Sequence, residues 1–299
     1  MDEPFINLPA VRGSYTFNTP LSLLTWFRTG GFAQVIFKPA DREDLQDFLK
    51  GKPQDIPLWC FGAGSNILVR DKGLRGCVIR LGKGFSHMEH HDSCLVIGAA
   101  CLDRTIALTC AQLRLSGLEF LVGIPGTMGG AIAMNAGAYG HEIKDRLQWV
   151  EWVTPEGKVE HVSAKNLAMT YRKGNLPPDV IVTRAAFSCD YKPQNDIQTT
   201  LQDFLKEKEK TQPMKGRTGG STFKNPSSHI KAWKLIDEAG CRGLKIGDAQ
   251  VSEKHCNFLL NLGSASAKDI EDLGLTVQSH VLKKTGILLE WEIIRMGEK

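Results

Sequence analysis

At 299 residues the chain exceeds the size at which one hydrophobic core stops growing, so two or three packed units are expected. Hydrophobic residues make up 42% and charged residues 23%, a globular balance that excludes disorder. The formal net charge of +4 permits small anionic ligands and argues against a nucleic-acid groove or a membrane surface.

The N-terminus, MDEPFINLPAVRG, has no basic region ahead of an apolar stretch, and no apolar run approaches membrane-spanning length. A cytoplasmic protein is expected, and the eight cysteines, which include no Cys-x-x-Cys pair, read as reduced core thiols. A strand at Gln34 to Phe37 and a helix from Asp41 to Lys50 come first. "PLWCFGAGSNILV" is strand, glycine turn, strand, and "CVIRL" and "CLVIGAA" give further β runs. The spacing of Ile106, Leu108, Leu113 and Leu115 predicts an amphipathic helix from Leu102 to Leu115 that stops at Gly117.

"LVGIPGTMGGAIAMNAGAYG", Leu121 to Gly140, is dense in glycine without being polar, so it needs close backbone approach and is not a flexible linker. Strands follow at Leu147 to Val153 and Val180 to Phe187, then a charged helix ending at Pro213 whose polar end marks a domain boundary. His229 to Gly240 and Ser266 to Gly286 are helices with glycine stops, the second with an N-cap serine. The last strand, Ile287 to Ile294, puts Ile287, Leu289, Trp291 and Ile293 on one face and Leu288, Glu290, Glu292 and Ile294 on the other. That face carries two carboxylates, either solvated on an edge strand or with one aimed into a cleft.

Several stretches have residue types that suit chemistry. "GAGSN", Gly62, Ala63, Gly64, Ser65 and Asn66, is either a plain hairpin turn or a phosphate cradle of converging N–H groups. The G-x-G-x-x-G fingerprint fails at Ile67, and no Gly-Lys-Ser/Thr motif exists, which excludes the Rossmann and Walker A signatures. A second glycine segment strengthens the cradle, because two turns can hold the two phosphates of a dinucleotide; its alternative is a crowded interface of small residues. "HMEHHD", His87 to Asp92, falls where a hairpin tip belongs, and no second ligand cluster complements it, so no metal is expected. "TYRKG" offers Arg172, a permanently charged fork suited to a carboxylate, and "GGSTFKNP" sets one hydroxyl, Ser221, behind two glycines.

Together, "GAGSN", "GIPGTMGGAIAMNAGAYG", "TYR", "GGSTFKNP", "GDAQVSEKHCNFLLN" and "LEWEI" occur in an order and spacing that resembles the UDP-N-acetylenolpyruvoylglucosamine reductases, flavoenzymes of bacterial peptidoglycan precursor synthesis. The resemblance runs from about Thr25 to Arg295. It implies an α+β protein: a two-lobed FAD-binding fold of the vanillyl-alcohol oxidase and p-cresol methylhydroxylase type, with a C-terminal α+β substrate domain. The expected parts are FAD-binding lobes at 1–80 and 81–205, a substrate domain at 206–288, and a terminal strand at 289–299 returning to the active site.

Carried over by position, the resemblance implies Arg172, Ser221 and Glu292 as catalytic residues. It implies non-covalent FAD at Gly62, Ala63, Gly64, Ser65, Asn66, Gly123, Ile124, Pro125, Gly126, Gly129, Gly130, Asn135, Ala136, Gly137, Ala138 and Tyr139, and UDP-sugar contacts at Lys224, Asn225, Arg242 and His255. NADPH is the implied hydride donor. Small molecules are the expected partners of a monomer, with no nucleic acid and no membrane. Reduced flavin would deliver hydride to C3 of the enolpyruvyl group, Arg172 and a protonated Glu292 would stabilise the enolate, and Ser221 would protonate C2. Two features depart from the common pattern. Gly174 stands where the family often has a serine after Tyr-Arg, and only 48 residues lie between Arg172 and Ser221, as in the shorter branch without a capping insertion. The alternatives are another FAD oxidoreductase of the same fold and a non-catalytic nucleotide-sugar binding protein.

Overall fold

The computed structural model describes residues 7–299, so the first six residues of the N-terminal stretch lie outside it. The described residues form two compact units, one of 7–17, Gln34–Ala63 and Gly76–Glu207, the other of Asn18–Ala33, Gly64–Arg75 and Lys208–Lys299. Among the described residues, no helix is long and apolar enough to cross a membrane.

The first unit has two cores. A four-stranded sheet, in the order Ser14–Pro20, Phe32–Lys38, Leu74–Arg80, Leu58–Phe61, carries helix α1, Arg42–Gly51. Asp41 caps α1, accepting Asp44 N–H at 3.0 Å. The buried Asp44 carboxylate in turn accepts Arg12 and Gly13 N–H at 2.6 and 2.8 Å, which ties the N-terminal segment to the helix start. Leu45, Phe48 and Leu49 face Val35, Phe37 and Ile79, with the Phe37 and Phe48 rings 4.4 Å apart. Truncating a buried Phe such as Phe48 costs about 3–5 kcal/mol.

The second core lies on an antiparallel five-stranded sheet in the order Val159–Ser163, Leu147–Val153, Ile181–Ser188, Cys94–Gly98, Met88–His91. Helices α2, Asp103–Gln112, and α3, Met128–Ala133, pack into it. Met88–His91 is a sheet strand that turns at Asp92 and Ser93 into Cys94, and no metal-binding group occurs among the described residues. The predicted helix to Leu115 ends earlier, at Gln112. Arg114 takes a left-handed φ of 59°, and Leu115–Ser116 instead pairs with Asp190–Tyr191. Helix α4, Gln194–Thr211, is where the chain leaves this unit.

The second unit centres on α5, Ala232–Glu238, and α6, Ala267–Thr285, with a small antiparallel sheet of Lys245–Ile246, Ala249–Val251 and Leu259–Asn261. Ser266 caps α6 in a reciprocal box with Asp269, and Gly286 closes it at φ 72°. Ile270, Leu273, Val277 and Val281 form its buried stripe. Gly274 lies inside this helix because a Cβ there would stand 2.2 Å from the Trp291 ring. Phe27 and Leu68 also enter this core, and Ile67–Val69 pairs in parallel with Ile294–Met296, which explains why 18–33 and 64–75 fold with the C-terminal part. The strand expected from Ile287 is regular only over Ile294–Met296. Its two-faced pattern nevertheless holds, with Leu289 and Ile293 buried and Leu288, Glu290 and Ile294 exposed.

Candidate active site

The two glycine segments are built from close backbone approach. In the first unit, a Cβ on Gly62 would lie 2.5 Å from Thr127 Oγ1, and one on Gly130 would lie 3.6 Å from the same atom, so both turns gather around one hydroxyl. Leu102 bridges to Thr127, and Asp103 N–H donates to the Gly126 oxygen at 3.2 Å, fixing the Gly123, Ile124, Pro125, Gly126 approach to α3. Gly129 packs on Ala99, and the Tyr139 ring lies over Gly123, where a Cβ would come within 2.6 Å of it. Thr127 is a neighbour the sequence reading missed; its signal was a hydroxyl between the glycines of "GIPGTMGG".

The hairpin alternative for "GAGSN" does not hold, since Leu58–Phe61 and Ile67–Val69 join different sheets. Gly62 and Ala63 belong to the first unit and Gly64, Ser65 and Asn66 to the second. Gly64 sits at φ 69°, where a Cβ would meet the Leu24 oxygen at 2.1 Å, so only glycine fits. This donor set of backbone turns and a neutral hydroxyl fits a diphosphate. The buried Asp103 carboxyl finds no hydrogen-bond partner, and burial pushes its pKa well above the carboxylate range.

Arg172 stands on a tight turn in which Thr170 and Lys173 exchange both backbone hydrogen bonds at 3.0 Å. Its backbone is left-handed at φ 55°, its guanidinium carbon lies 4.9 Å from the Tyr171 ring centroid, and Nη2 donates to the Gly137 oxygen at 3.0 Å. Fully buried Asn135 braces this turn: its Nδ2 donates to the Thr170 oxygen at 2.8 Å and its Oδ1 accepts Lys144 N–H at 3.0 Å. The Asn135 side chain thus orders the arginine turn, while Ala136 N–H donates to the Ala131 oxygen at 2.8 Å and Gly137 and Ala138 pair with Glu142 and His141. Tyr139 donates its hydroxyl to the Phe204 oxygen at 2.8 Å and stacks on Phe204 at 4.1 Å. At Gly174 a Cβ would stand 2.3 Å from the Ile132 oxygen, which explains why no serine occupies this position.

In the second unit, residues 221–224 run between two partners. Ser221 bridges to Phe258 on one side, while on the other Phe223 bridges to Trp291, Lys224 N–H donates to the Glu290 oxygen at 2.8 Å, and Glu292 N–H donates to the Thr222 oxygen at 2.8 Å. Ser221 and Glu292 therefore belong to adjoining extended segments. Gly220 has φ 82°, and Gly219 packs on Phe27, where a Cβ would fall 2.5 Å from the ring. Asn257, not anticipated from sequence, clamps the serine segment by accepting Phe223 N–H at 3.0 Å and donating to the Phe223 oxygen at 2.8 Å. Glu290 is exposed and salt-bridged to Lys224 Nζ at 2.5 Å, whereas Glu292 is half-buried.

Asn225 accepts Ala232 N–H at 3.0 Å, joining the "KNP" turn to α5. The Arg242 fork grips both oxygens of Asp237 at 2.8 Å and also donates to the Glu253 carbonyl oxygen. His255 lies with its ring 4.9 Å from Phe258 and 6.2 Å from the half-exposed Trp233. Burial lowers the His255 pKa, so its imidazole is neutral at pH 7. Trp233 is a second neighbour that sequence reasoning missed, because a tryptophan in "HIKAWKLIDEAG" fits a core stripe equally well.

Known proteins share both halves. Residues 33–163 match an FAD binding domain family, and residues 212–296 match the family described as UDP-N-acetylenolpyruvoylglucosamine reductase, C-terminal domain. The chain is 53% identical over 290 residues to the UDP-N-acetylenolpyruvoylglucosamine reductase of Acidiphilium cryptum, covering 97% of this chain and 94% of that protein. It is 50% identical over 289 residues to the protein of the same name from Gluconobacter oxydans, with the same coverage of each chain. The crystal structure of UDP-N-acetylenolpyruvylglucosamine reductase from Thermus caldophilus superposes with a TM-score of 0.83 at 34% identity, over 96% of this chain and all of that one. With both domains present in order and near-complete coverage by such relatives, the chain belongs to the UDP-N-acetylenolpyruvoylglucosamine reductase family.

Proposed function

We propose that the chain reduces the enolpyruvyl group of UDP-N-acetylglucosamine enolpyruvate to give UDP-N-acetylmuramate, a step of peptidoglycan precursor synthesis. FAD bound without a covalent link supplies the chemistry of accepting hydride from NADPH and passing it to the enolpyruvyl C3. The observation that carries the assignment of roles is the Thr222–Glu292 backbone hydrogen bond, which sets Ser221 and Glu292 on adjoining segments.

Hydride arriving at C3 leaves negative charge on C2 that spreads into the substrate carboxylate. Arg172 meets that charge with a guanidinium whose turn is fixed by Asn135, and a preorganised donor of this kind lowers the barrier by about 3 kcal/mol. A serine hydroxyl is a very weak acid, so it gives up a proton only to a strong base, and a carbanionic C2 is one. Ser221 protonates C2, and its clamped backbone fixes the face from which the proton comes, hence the configuration of the lactyl product. Glu292 acts as a protonated carboxyl and stabilises the enolate by donating a hydrogen bond to it.

Lys224 and Asn225 are assigned to the anionic UDP-sugar, with neutral His255 as a hydrogen-bonding neighbour. Arg242 contributes by holding the loop that carries His255, through Asp237 and the Glu253 carbonyl oxygen. We further propose that the enzyme acts as a cytoplasmic monomer. The test is NADPH oxidation by purified, flavin-loaded protein: consumption that requires the UDP-enolpyruvyl sugar supports this reading, and consumption indifferent to that sugar overturns it.

A further inference from the structure

We propose that Phe204 of α4 is a positioning residue for FAD, acting through Tyr139 on the Gly123 turn. The proposal rests on the reading that the turn from Gly123 to Gly126 holds the cofactor, and it adds a residue that lies far from both glycine segments in sequence.

Tyr139 stands at the tip of a tight hairpin in which Gly137 and Ala138 pair with Glu142 and His141. Its backbone is left-handed at φ 54°, where a residue with a Cβ is disfavoured, so contacts from outside the hairpin have to hold it. Helix α4 supplies two. The Tyr139 hydroxyl donates to the Phe204 oxygen at 2.8 Å, and the two rings stack with centroids 4.1 Å apart and planes within 4° of parallel. A Cβ on Gly123 would fall 2.6 Å from Tyr139 Cε2 and 2.7 Å from its hydroxyl oxygen, so the same ring lies directly against the cofactor turn. Phe204, Tyr139 and Gly123 thus form one continuous contact, and all three belong to the first unit.

Docking of α4 does not need Phe204. Leu201 and Ile197, one and two turns earlier on the same face, are buried in the core, whereas Phe204 is only half-buried. The carbonyl that accepts the tyrosine hydroxyl is backbone and survives any side-chain change there, so the stack is what the phenylalanine itself contributes. A leucine would cover a similar apolar area, but a branched aliphatic chain cannot lie flat along the tyrosine ring. With its ring held in plane, Tyr139 keeps the Gly123 turn ordered before FAD arrives, and less freedom is lost on binding.

The experiment dilutes flavin-loaded protein and follows released FAD by its fluorescence, with circular dichroism checking the fold of each variant. Phe204→Leu is expected to raise the Kd for FAD about tenfold, the scale of a lost ordering contact. Phe204→Tyr, which keeps the stack, is expected to retain the wild-type Kd. Wild-type affinity in Phe204→Leu, or an equal loss in Phe204→Tyr, overturns the proposal. Tyr139→Leu separates it from the reading beneath it. Weakened FAD binding in Tyr139→Leu alone removes only the role of Phe204, whereas wild-type affinity in both leucine variants also removes the Gly123 turn from the cofactor site.

Discussion

Asn66 Nδ2 donates to the backbone oxygen of Glu292 at 3.2 Å, and the Asn66 oxygen accepts Ile294 N–H at 3.0 Å. A residue of the first glycine turn thereby holds the backbone around the proposed catalytic glutamate from both sides. Asn66→Ala removes the side-chain bond, which costs about 1 kcal/mol of stability, and it loosens the placement of Glu292. The expected result is a small drop in the urea midpoint with a larger fall in kcat. A fall in stability with unchanged kcat would show that the clamp does not orient Glu292.

Asn257 satisfies both backbone groups of Phe223, and it lies almost fully buried. Asn257→Leu leaves a buried N–H and a buried carbonyl unpaired, which costs roughly 2–4 kcal/mol. Equilibrium urea unfolding measures it. A loss below 1 kcal/mol would mean that water or a shifted backbone replaces the clamp.

Gly174→Ser tests the fit of the Arg172 turn. The new Cβ would press on the Ile132 and Ala133 oxygens, at 2.3 and 2.7 Å, and backbone atoms cannot step aside as a flexible side chain can. The variant is expected to lose roughly 2–3 kcal/mol of stability, within the ordinary range for strained substitutions, and to lower kcat as Arg172 shifts. Wild-type stability in this variant would contradict the account of why the family's serine is missing.

Glu271 carries an acid-stability prediction. Arg70 pairs with it at 2.8 Å through both carboxylate oxygens and Arg295 adds a contact at 3.1 Å; first the Arg70 hydrogen bonds and then the two charges hold its pKa below the usual 4.5. A carboxyl whose folded pKa is depressed contributes stability that is complete above its unfolded value and lost as pH falls through the folded one. The window therefore opens below about pH 4.5. Glu271→Gln is expected to cost about 3 kcal/mol at pH 7, at the low end of the buried range because Arg70 and Arg295 keep some water contact. It also flattens the acid limb of the stability curve. An acid limb identical to wild type would remove Glu271 from that account.

Much of this was legible in the sequence because local chemistry and tertiary packing agree. Ser266 and Gly286 bound α6 as cap and stop, and the alternation Leu288, Leu289, Glu290, Trp291, Glu292, Ile293 predicted burial even where no regular strand forms. The end of α2 was not legible, since apolar Leu113 and Leu115 extend the helical period past the point where Arg114 turns left-handed. Nor was the membership of 18–33 and 64–75 in the second unit, which depends on a parallel pairing more than two hundred residues apart, Ile67 with Ile294. At the site, motif residues stood out, whereas Asn257, Thr127 and Trp233 did not. Their roles come from distant partners, and a single asparagine or threonine has no periodic signal.

Ser221→Ala examined by rapid-mixing kinetics tests the central assignment most directly, because the flavin spectrum follows each half-reaction separately. Reduction of the enzyme-bound flavin by NADPH is expected to keep its wild-type rate, while reoxidation by the UDP-enolpyruvyl sugar slows by about 100-fold or more, the scale of a lost positioned proton donor. Equal loss in both half-reactions, or unchanged reoxidation, would contradict Ser221 as the group that protonates C2.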